Sequence, residues 1–514
     1  MFTRAVDFLS AEVYNICCRI NKIESENNAV SSMKRTTIVN TVWKFAERIC
    51  AQTISLVVAI LLARFLTPDE YSVVSIVVIF FNFANVIISG GFNTALIQKK
   101  DADAEDYSTV FHVSIFVSVV IYAVLFFAAP SIANIYSQPL LVTVIRIMAL
   151  SLPVYAVKSV YCAYISSTLQ FRKFFFATIG GTLVSAVVGI YLATNGYGAW
   201  ALVAQQMTNT VIDTLILVLT TRMRVLLKIS FDRLKGLFSY GWKVFVSSLL
   251  STAYSEVIPL FIGIKYSASS LSHYTKGKSF PVFISNTTTS TLSAVLFPVL
   301  SKYQNDKETL LRYTRRFISV SSYLVFPLML GFFAVADKFV LLLLTEKWLP
   351  CTYYIRVFCV VSMFDMIHVG NCETIKAMGR SDIFLIMEII KKSTYFTVIA
   401  IFMFLGRTPE MLAIASVVCT LVAIVVNSVP NRRLIGYSYF KQAMDVLPNL
   451  IMSFVMCVGV VLIGKININV AILFPVQIIG GTVIYVLLSF ITRNKNLRYL
   501  LSTLKEKNDN GEAK

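Results

Sequence analysis

Charge is scarce in this 514-residue chain, and acidic charge scarcer still. Charged residues make up 14% of it, with 27 Asp and Glu against 46 Lys and Arg. A soluble protein carries roughly 25% charged residues, so a string of soluble domains is excluded. The nine cysteines form no C-x-x-C pair; apart from adjacent Cys17 and Cys18 they are scattered, most of them in apolar runs. That excludes a disulfide framework or zinc cluster and leaves them as packing residues. A nucleotide loop is missing too. Lys276-Gly277-Lys278-Ser279 has the tail of one, but Ser272 stands where the pattern needs glycine and no strand precedes it. Asn286-Thr287-Thr288 matches a glycosylation sequon inside an apolar span and carries no meaning there. There is no cleavable signal peptide. Residues 2–20 instead place apolar side chains every three or four positions, the pattern of a helix lying on a membrane surface or of an extension upstream of a true start at Met33.

What the chain has is apolar length. Hydrophobic residues make up 57% of it, and mean hydropathy is +0.73. A run of about 20 apolar residues crosses a bilayer as a helix. Such runs fall at 37–62, 71–96, 109–129, 142–166, 174–193, 199–220, 239–263, 279–300, 317–336, 351–375, 383–405, 410–429, 446–464 and 469–491. The reading is an all-α polytopic membrane protein with about 14 transmembrane helices. Residues 1–36 form an N-terminal segment, 37–220 a first lobe, 221–238 a basic linker, 239–429 a second lobe, 430–491 two further helices and 492–514 a tail.

With the N-terminus in the cytoplasm, the inner segments hold 30 Lys and Arg, the outer loops 8 and the spans 8. This positive-inside bias fixes the expected orientation, both termini inside. It also accounts for most of the net charge of +19 without any nucleic acid. A weak repeat runs through the chain. At a shift of 200 residues, Thr67 and Tyr71-Ser72 lie over Ser267 and Leu271-Ser272. At 210, Ile145-Arg146-Ile147 lies over Ile355-Arg356-Val357 and Phe174 over Phe384. Six helices followed by six in the same orientation predict two bundles with a site between them.

Charge within a span costs ~2.5–3.5 kcal/mol even on the mild insertion scale, so it faces protein or water. Thr41, Lys44, Arg48, Gln52 and Ser55 share one face of the first helix, with Glu47 beside them. They line a polar path or form a charge pair at the inner rim. Glu388, Lys391 and Lys392 sit on one turn of the eleventh span, where ion pairing within the helix is natural. Asp365 and His368, one turn apart, suit a proton relay or a hydrogen-bonded structural pair; Glu373 follows. Asp213 and Glu256 read as lone buried acids able to bind a coupling cation. Lys276 and Lys278 add positive charge at the outer end of the path. Arg146 and Arg356 snorkel near the outer ends of their helices. No nucleophile–base constellation or metal motif stands out, no cofactor is called for, and every outer loop is about 15 residues or fewer. That argues against a membrane glycan polymerase or ligase, which needs an outer catalytic platform.

Several stretches are similar to one family: WKFAERICAQ at 43–52, LARFLTP at 62–68, GFNTALIQKK at 91–100, TVFHVSIFVS at 109–118, GYGAWALVAQQ at 196–206, FPVLSKYQ at 297–304, LLTEKWLP at 343–350 and GRSDIFLIMEIIKK at 379–392. Together, in order, they resemble the polysaccharide flippases of the MOP superfamily, in the Wzx-type branch of lipopolysaccharide and colanic-acid exporters. The resemblance implies two six-helix lobes around a central cavity plus two extra helices, in a bacterial inner membrane. It implies flipping of an undecaprenyl-diphosphate-linked oligosaccharide, an O-antigen, capsule or exopolysaccharide repeat unit, from the cytoplasmic to the periplasmic leaflet. Coupling to H+, Na+ or the membrane potential, and glycan polymerase or chain-length partners, would accompany that role. Lys44, Arg48, Gln52, Lys276, Lys391 and Lys392 are then the diphosphate and glycan contacts. Glu47, Asp213, Glu256, Asp365, His368 and Glu388 serve ion coupling or charge pairing. Lys276 stands where the branch often has Arg, and Asp213 where it is often basic. A drug or cation antiporter of the same fold is the main rival. It would favour an acidic cavity, whereas the spans hold 8 basic residues and, apart from Glu410 at a span end, 6 acidic ones.

Overall fold

The computed structural model describes residues 30–99 and 101–499. The amphipathic reading of residues 2–20, the alternative start and the end of the tail lie outside the described residues. The described residues form helices α1 (Val30–Phe65), α2 (Pro68–Ser89), α3 (Phe92–Gln98), α4 (Ala104–Ile135), α5 (Leu140–Met148), α6 (Ser151–Ser167), α7 (Phe171–Thr194) and α8 (Ala199–Thr220). After a link at 221–230 come α9 (Phe231–Lys265), α10 (Ala268–Lys302), α11 (Lys307–Phe339), α12 (Cys351–Met363), α13 (Asp365–Ala377), α14 (Ser381–Leu405) and α15 (Pro409–Ile435). Two more, α16 (Tyr439–Ile463) and α17 (Val470–Ile491), pack on α11.

Twelve of these, with α5–α6 and α12–α13 each counted once, are long and apolar enough to cross a membrane. The two long helices that fall short are α10 and α14. Their polarity is the reason. The first half of α10 is rich in Ser, Thr and Lys, and α14 carries Glu388, Lys391 and Lys392.

The repeat is visible in the way the helices begin and bend. Thr67 caps α2 in a reciprocal capping box with Glu70, followed by Pro68 in the first turn. Ser267, 200 residues on, caps α10 by accepting the Ser270 N–H. Asp103 caps α4 and Asp306 caps α11, and each of those helices holds an internal proline, Pro130 and Pro327. Arg146 donates to the Phe126 carbonyl with its guanidinium 4.3 Å from that ring; Arg356 treats Phe333 likewise at 5.7 Å. Both arginines are therefore tied down rather than simply snorkelling.

Two details differ from the sequence reading. The span expected at 239–263 starts earlier, at Phe231, inside the expected linker. Residues 268–278, read as loop, form the first turns of α10, so Lys276 and Lys278 are helical. Gly277 permits this polar helix to be buried: a Cβ there would stand 2.6 Å from the Tyr354 Cβ on α12.

The lobes depart from symmetry at one step. In the first lobe α1 packs along α7. Its counterpart α9 has few contacts with α14 and leans on α2 and α3 of the first lobe instead. At that crossing Gly91 meets Gly241 so closely that a Cβ on Gly91 would lie 2.0 Å from the Gly241 carbonyl oxygen.

Candidate functional site

Because α9 leaves α14, a cavity of about 420 Å³ opens in the second lobe. Tyr254 of α9, Lys278 of α10, Asp365 and His368 of α13, Glu388, Lys391 and Lys392 of α14 and Asn427 of α15 line it. Lys391 pairs with Glu388 at 2.5 Å, as the three-residue spacing predicts. The Asp365 carboxylate accepts the Ser285 hydroxyl, and the His368 ring meets the Asn427 amide. Asp365 and His368 therefore share the cavity but bond to other partners, not to each other. Among the described residues no carboxylate lies within ion-pairing distance of Lys278 or Lys392. Lys278 has Glu256 as its acidic neighbour and stands 5.7 Å from the Phe358 ring. The lining thus carries three ammonium groups and two carboxylates, with Glu256 a third acid beside Lys278. Lys392 makes no ion pair or hydrogen bond among the described residues, and a low-dielectric wall strengthens what it offers an anion.

The other expected site residues lie elsewhere. Lys44 pairs with Glu47 at 3.3 Å and stands 4.0 Å over the Phe174 ring, within the α1–α7 contact. Arg48 is exposed. Gln52 accepts the Thr287 hydroxyl of α10 at 3.1 Å, tying the lobes together. Glu373 pairs with Lys376 at 3.2 Å. Asp213 and Glu256 are not lone acids. Asp213 pairs with Lys158 at 2.5 Å, and Glu256 accepts the Asn82 amide at 3.0 Å. Both partners are distant in sequence, which is why the residues read as isolated. Lys158 escaped notice altogether; the available signal was a lysine well inside an apolar span. Gly181 on α7 makes room for the pair, since a Cβ there would meet the Asp213 Cβ at 2.9 Å.

Lys276 stands apart from the cavity. It is buried where the lobes meet at the α1–α2 elbow, donating to the Ala59 carbonyl at 2.8 Å with the Tyr71 ring 4.6 Å away. The same contact holds Trp348, whose indole donates to Ala63 at 2.8 Å, and Lys347, which donates to Arg64 at 2.8 Å. Arg64 reaches back to the carbonyls of Leu342 and Leu343. The lobes are closed at this end by cations set on backbone oxygens.

Two repeated helical lobes, polar groups buried in each and a contact that shuts one end describe a membrane transporter of the alternating-access kind. A family model described as polysaccharide biosynthesis protein matches residues 61–353, and the chain belongs to that family. It is 23% identical over 481 residues to an uncharacterized membrane protein in the cps region of Klebsiella pneumoniae, covering 91% of this chain and 97% of that one. It is 23% identical over 317 residues to the succinoglycan biosynthesis transport protein ExoT of Rhizobium meliloti (strain 1021), covering 61% and 64%. Its fold is similar to that of the lipid II flippase MurJ in an inward closed conformation, with TM-score 0.73 and 14% identity over 89% of this chain and 99% of that one.

Proposed function

We propose that this chain flips a lipid-diphosphate-linked oligosaccharide from the inner to the outer leaflet of the bacterial cytoplasmic membrane. The observation that carries the reading is the cavity with Lys278, Lys391 and Lys392 around it. A glycan cannot cross lipid unaided, because each hydroxyl would lose its hydrogen bonds to water. A polar cavity lets it cross solvated, and the lysines hold the diphosphate that follows. The apolar tail stays in lipid between the lobes. The Lys and Arg bias supports an orientation with both termini in the cytoplasm and the elbow contact outside, which would close the cavity toward the periplasm. In this reading α10 and α14 complete fourteen crossings; their charge is tolerated because Lys278, Glu388, Lys391 and Lys392 face the cavity and Lys276 is set on the Ala59 carbonyl. Asp365 and Glu388, beside the lysines, suit a proton or sodium ion moving against the cargo. Glycan polymerase or chain-length proteins would take the product on the far side.

The test is transbilayer movement of an undecaprenyl-diphosphate oligosaccharide in proteoliposomes, with and without a proton gradient. Lys391→Ala/Lys392→Ala should slow it about tenfold or more, since a hydrogen bond to a charged group is worth ~1.5–3 kcal/mol. An unchanged rate in that variant rejects the cationic site. Expulsion of an organic cation with no movement of the glycolipid establishes the antiporter instead.

A further inference from the structure

The first lobe holds a smaller pocket of about 140 Å³ between α2, α6 and α8. It is the counterpart of the cavity in the second lobe. Tyr155, Gln206 and Thr210 line it and stand 210 residues before Asp365, Ser416 and Thr420, which line the cavity. Asn82 and Asn85 stand 200 residues before Val282 and Ser285, the first lining that cavity and the second bonded to Asp365. The two offsets are those that relate Thr67 to Ser267 and Arg146 to Arg356. Both sites flank one stretch of α9: Glu256 takes the Asn82 amide, while Tyr254 and Ser255 face the cavity. The pocket and the cavity are a duplicated site.

The copies have diverged in chemistry. The second-lobe copy carries three lysines and two carboxylates, whereas the lining of the first-lobe pocket holds no charged side chain. Among the described residues the Asn85 and Gln206 amides and the Tyr155 hydroxyl have no hydrogen-bond partner. All three residues are half-buried, so these groups stand open to a ligand that brings its own donors and acceptors. An amide offers a donor and an acceptor side by side, the pattern that vicinal hydroxyls match, and a phenol adds a flat apolar face with a polar tip.

We infer that the first-lobe pocket is the glycan subsite: it binds an uncharged, polyhydroxylated sugar ring while the second lobe holds the diphosphate. The inference rests on the proposed flippase reading. The two charge environments let one cargo span both lobes, its anionic part on one and its neutral part on the other.

The test compares two probes on the purified full chain in lipid nanodiscs: undecaprenyl diphosphate bearing one neutral hexose, and undecaprenyl diphosphate with no sugar. Asn85→Ala/Gln206→Ala should weaken binding of the sugar-bearing probe about tenfold, the value of two modest hydrogen bonds, and leave the bare probe unchanged. Lys391→Ala/Lys392→Ala should weaken both. Equal weakening of both probes by Asn85→Ala/Gln206→Ala, or of neither, overturns the subsite while the lysine variant still reports on the diphosphate site. A lysine variant that affects neither probe overturns the flippase site on its own terms. If the amide variant does not assemble, Gln206→Met and Tyr155→Phe carry the same comparison, because each keeps the side-chain volume.

Discussion

The buried pair Lys158–Asp213 shows how single residues behave in this fold. The Asp213 side chain is 4% exposed and Lys158 26%, at 2.5 Å. Removing one partner leaves a buried charge, which costs ~3–5 kcal/mol, while replacing both with apolar side chains is often close to neutral. Lys158→Met and Asp213→Leu should each lower the unfolding temperature in detergent more than the Lys158→Met/Asp213→Leu double variant does. A double variant no better than the singles would mean that the two charges act independently. At this scale the sequence was half legible. Glu388 and Lys391 are three residues apart, so their pairing follows from helix geometry. Lys158 and Asp213 lie 55 residues apart on α6 and α8, and no local pattern announces that they meet.

At the scale of elements, the start of α4 shows capping and lobe contact combined. The Asp103 carboxylate accepts the N–H groups of Glu105 and Asp106 at 3.1 and 3.0 Å and receives Arg233 of α9 at 2.8 Å. The Asp106 N–H, and after it the Arg233 guanidinium, hold the Asp103 carboxyl below the ordinary carboxylate range. A depressed folded-state pKa stabilises above the unfolded value, about 3.9 for Asp, and that stability is lost as pH falls through the lowered value. Asp103→Asn keeps a cap but removes the charge. The gap in unfolding temperature between wild type and Asp103→Asn should stay constant from pH 8 to about 5 and shrink below about pH 4. A gap that changes between pH 6 and 8 would assign the effect to another group. The cap itself is readable from Asp103 and the acidic first turn that follows. The arginine that shares it comes from a helix whose start the sequence reading placed too late.

For the whole molecule, the decisive feature is where α9 lies. Its crossing of α3 depends on two glycines, and a Cβ on Gly91 would collide with the Gly241 carbonyl. Gly91 also has φ of +74°, a region that side chains with a Cβ avoid. Gly91→Ala should destabilise the protein by ~1–3 kcal/mol, the usual cost of overpacking, seen as a lower unfolding temperature and slower glycolipid movement. Wild-type values for both would show that α9 can shift away from α3 without loss.

The sequence by itself determined the class of the molecule. Scarce charge and long apolar runs leave helices spanning a bilayer as the solution, since a backbone in hydrocarbon must satisfy its own hydrogen bonds. The repeat was legible because Thr67 recurs as Ser267 at a shift of 200 and Arg146 as Arg356 at a shift of 210. Tertiary structure alone decided which charges share a site. Lys276, read as part of the path, is bound into the outer contact between the lobes, and Lys278, two residues on, faces the cavity. Two residues along a helix turn a side chain by about 200°, given 3.6 residues per turn. Which of those directions is cavity and which is contact depends on where α1, α9 and α12 pack, and that is set by close approaches at Gly91, Gly241 and Gly277 between segments far apart in the chain.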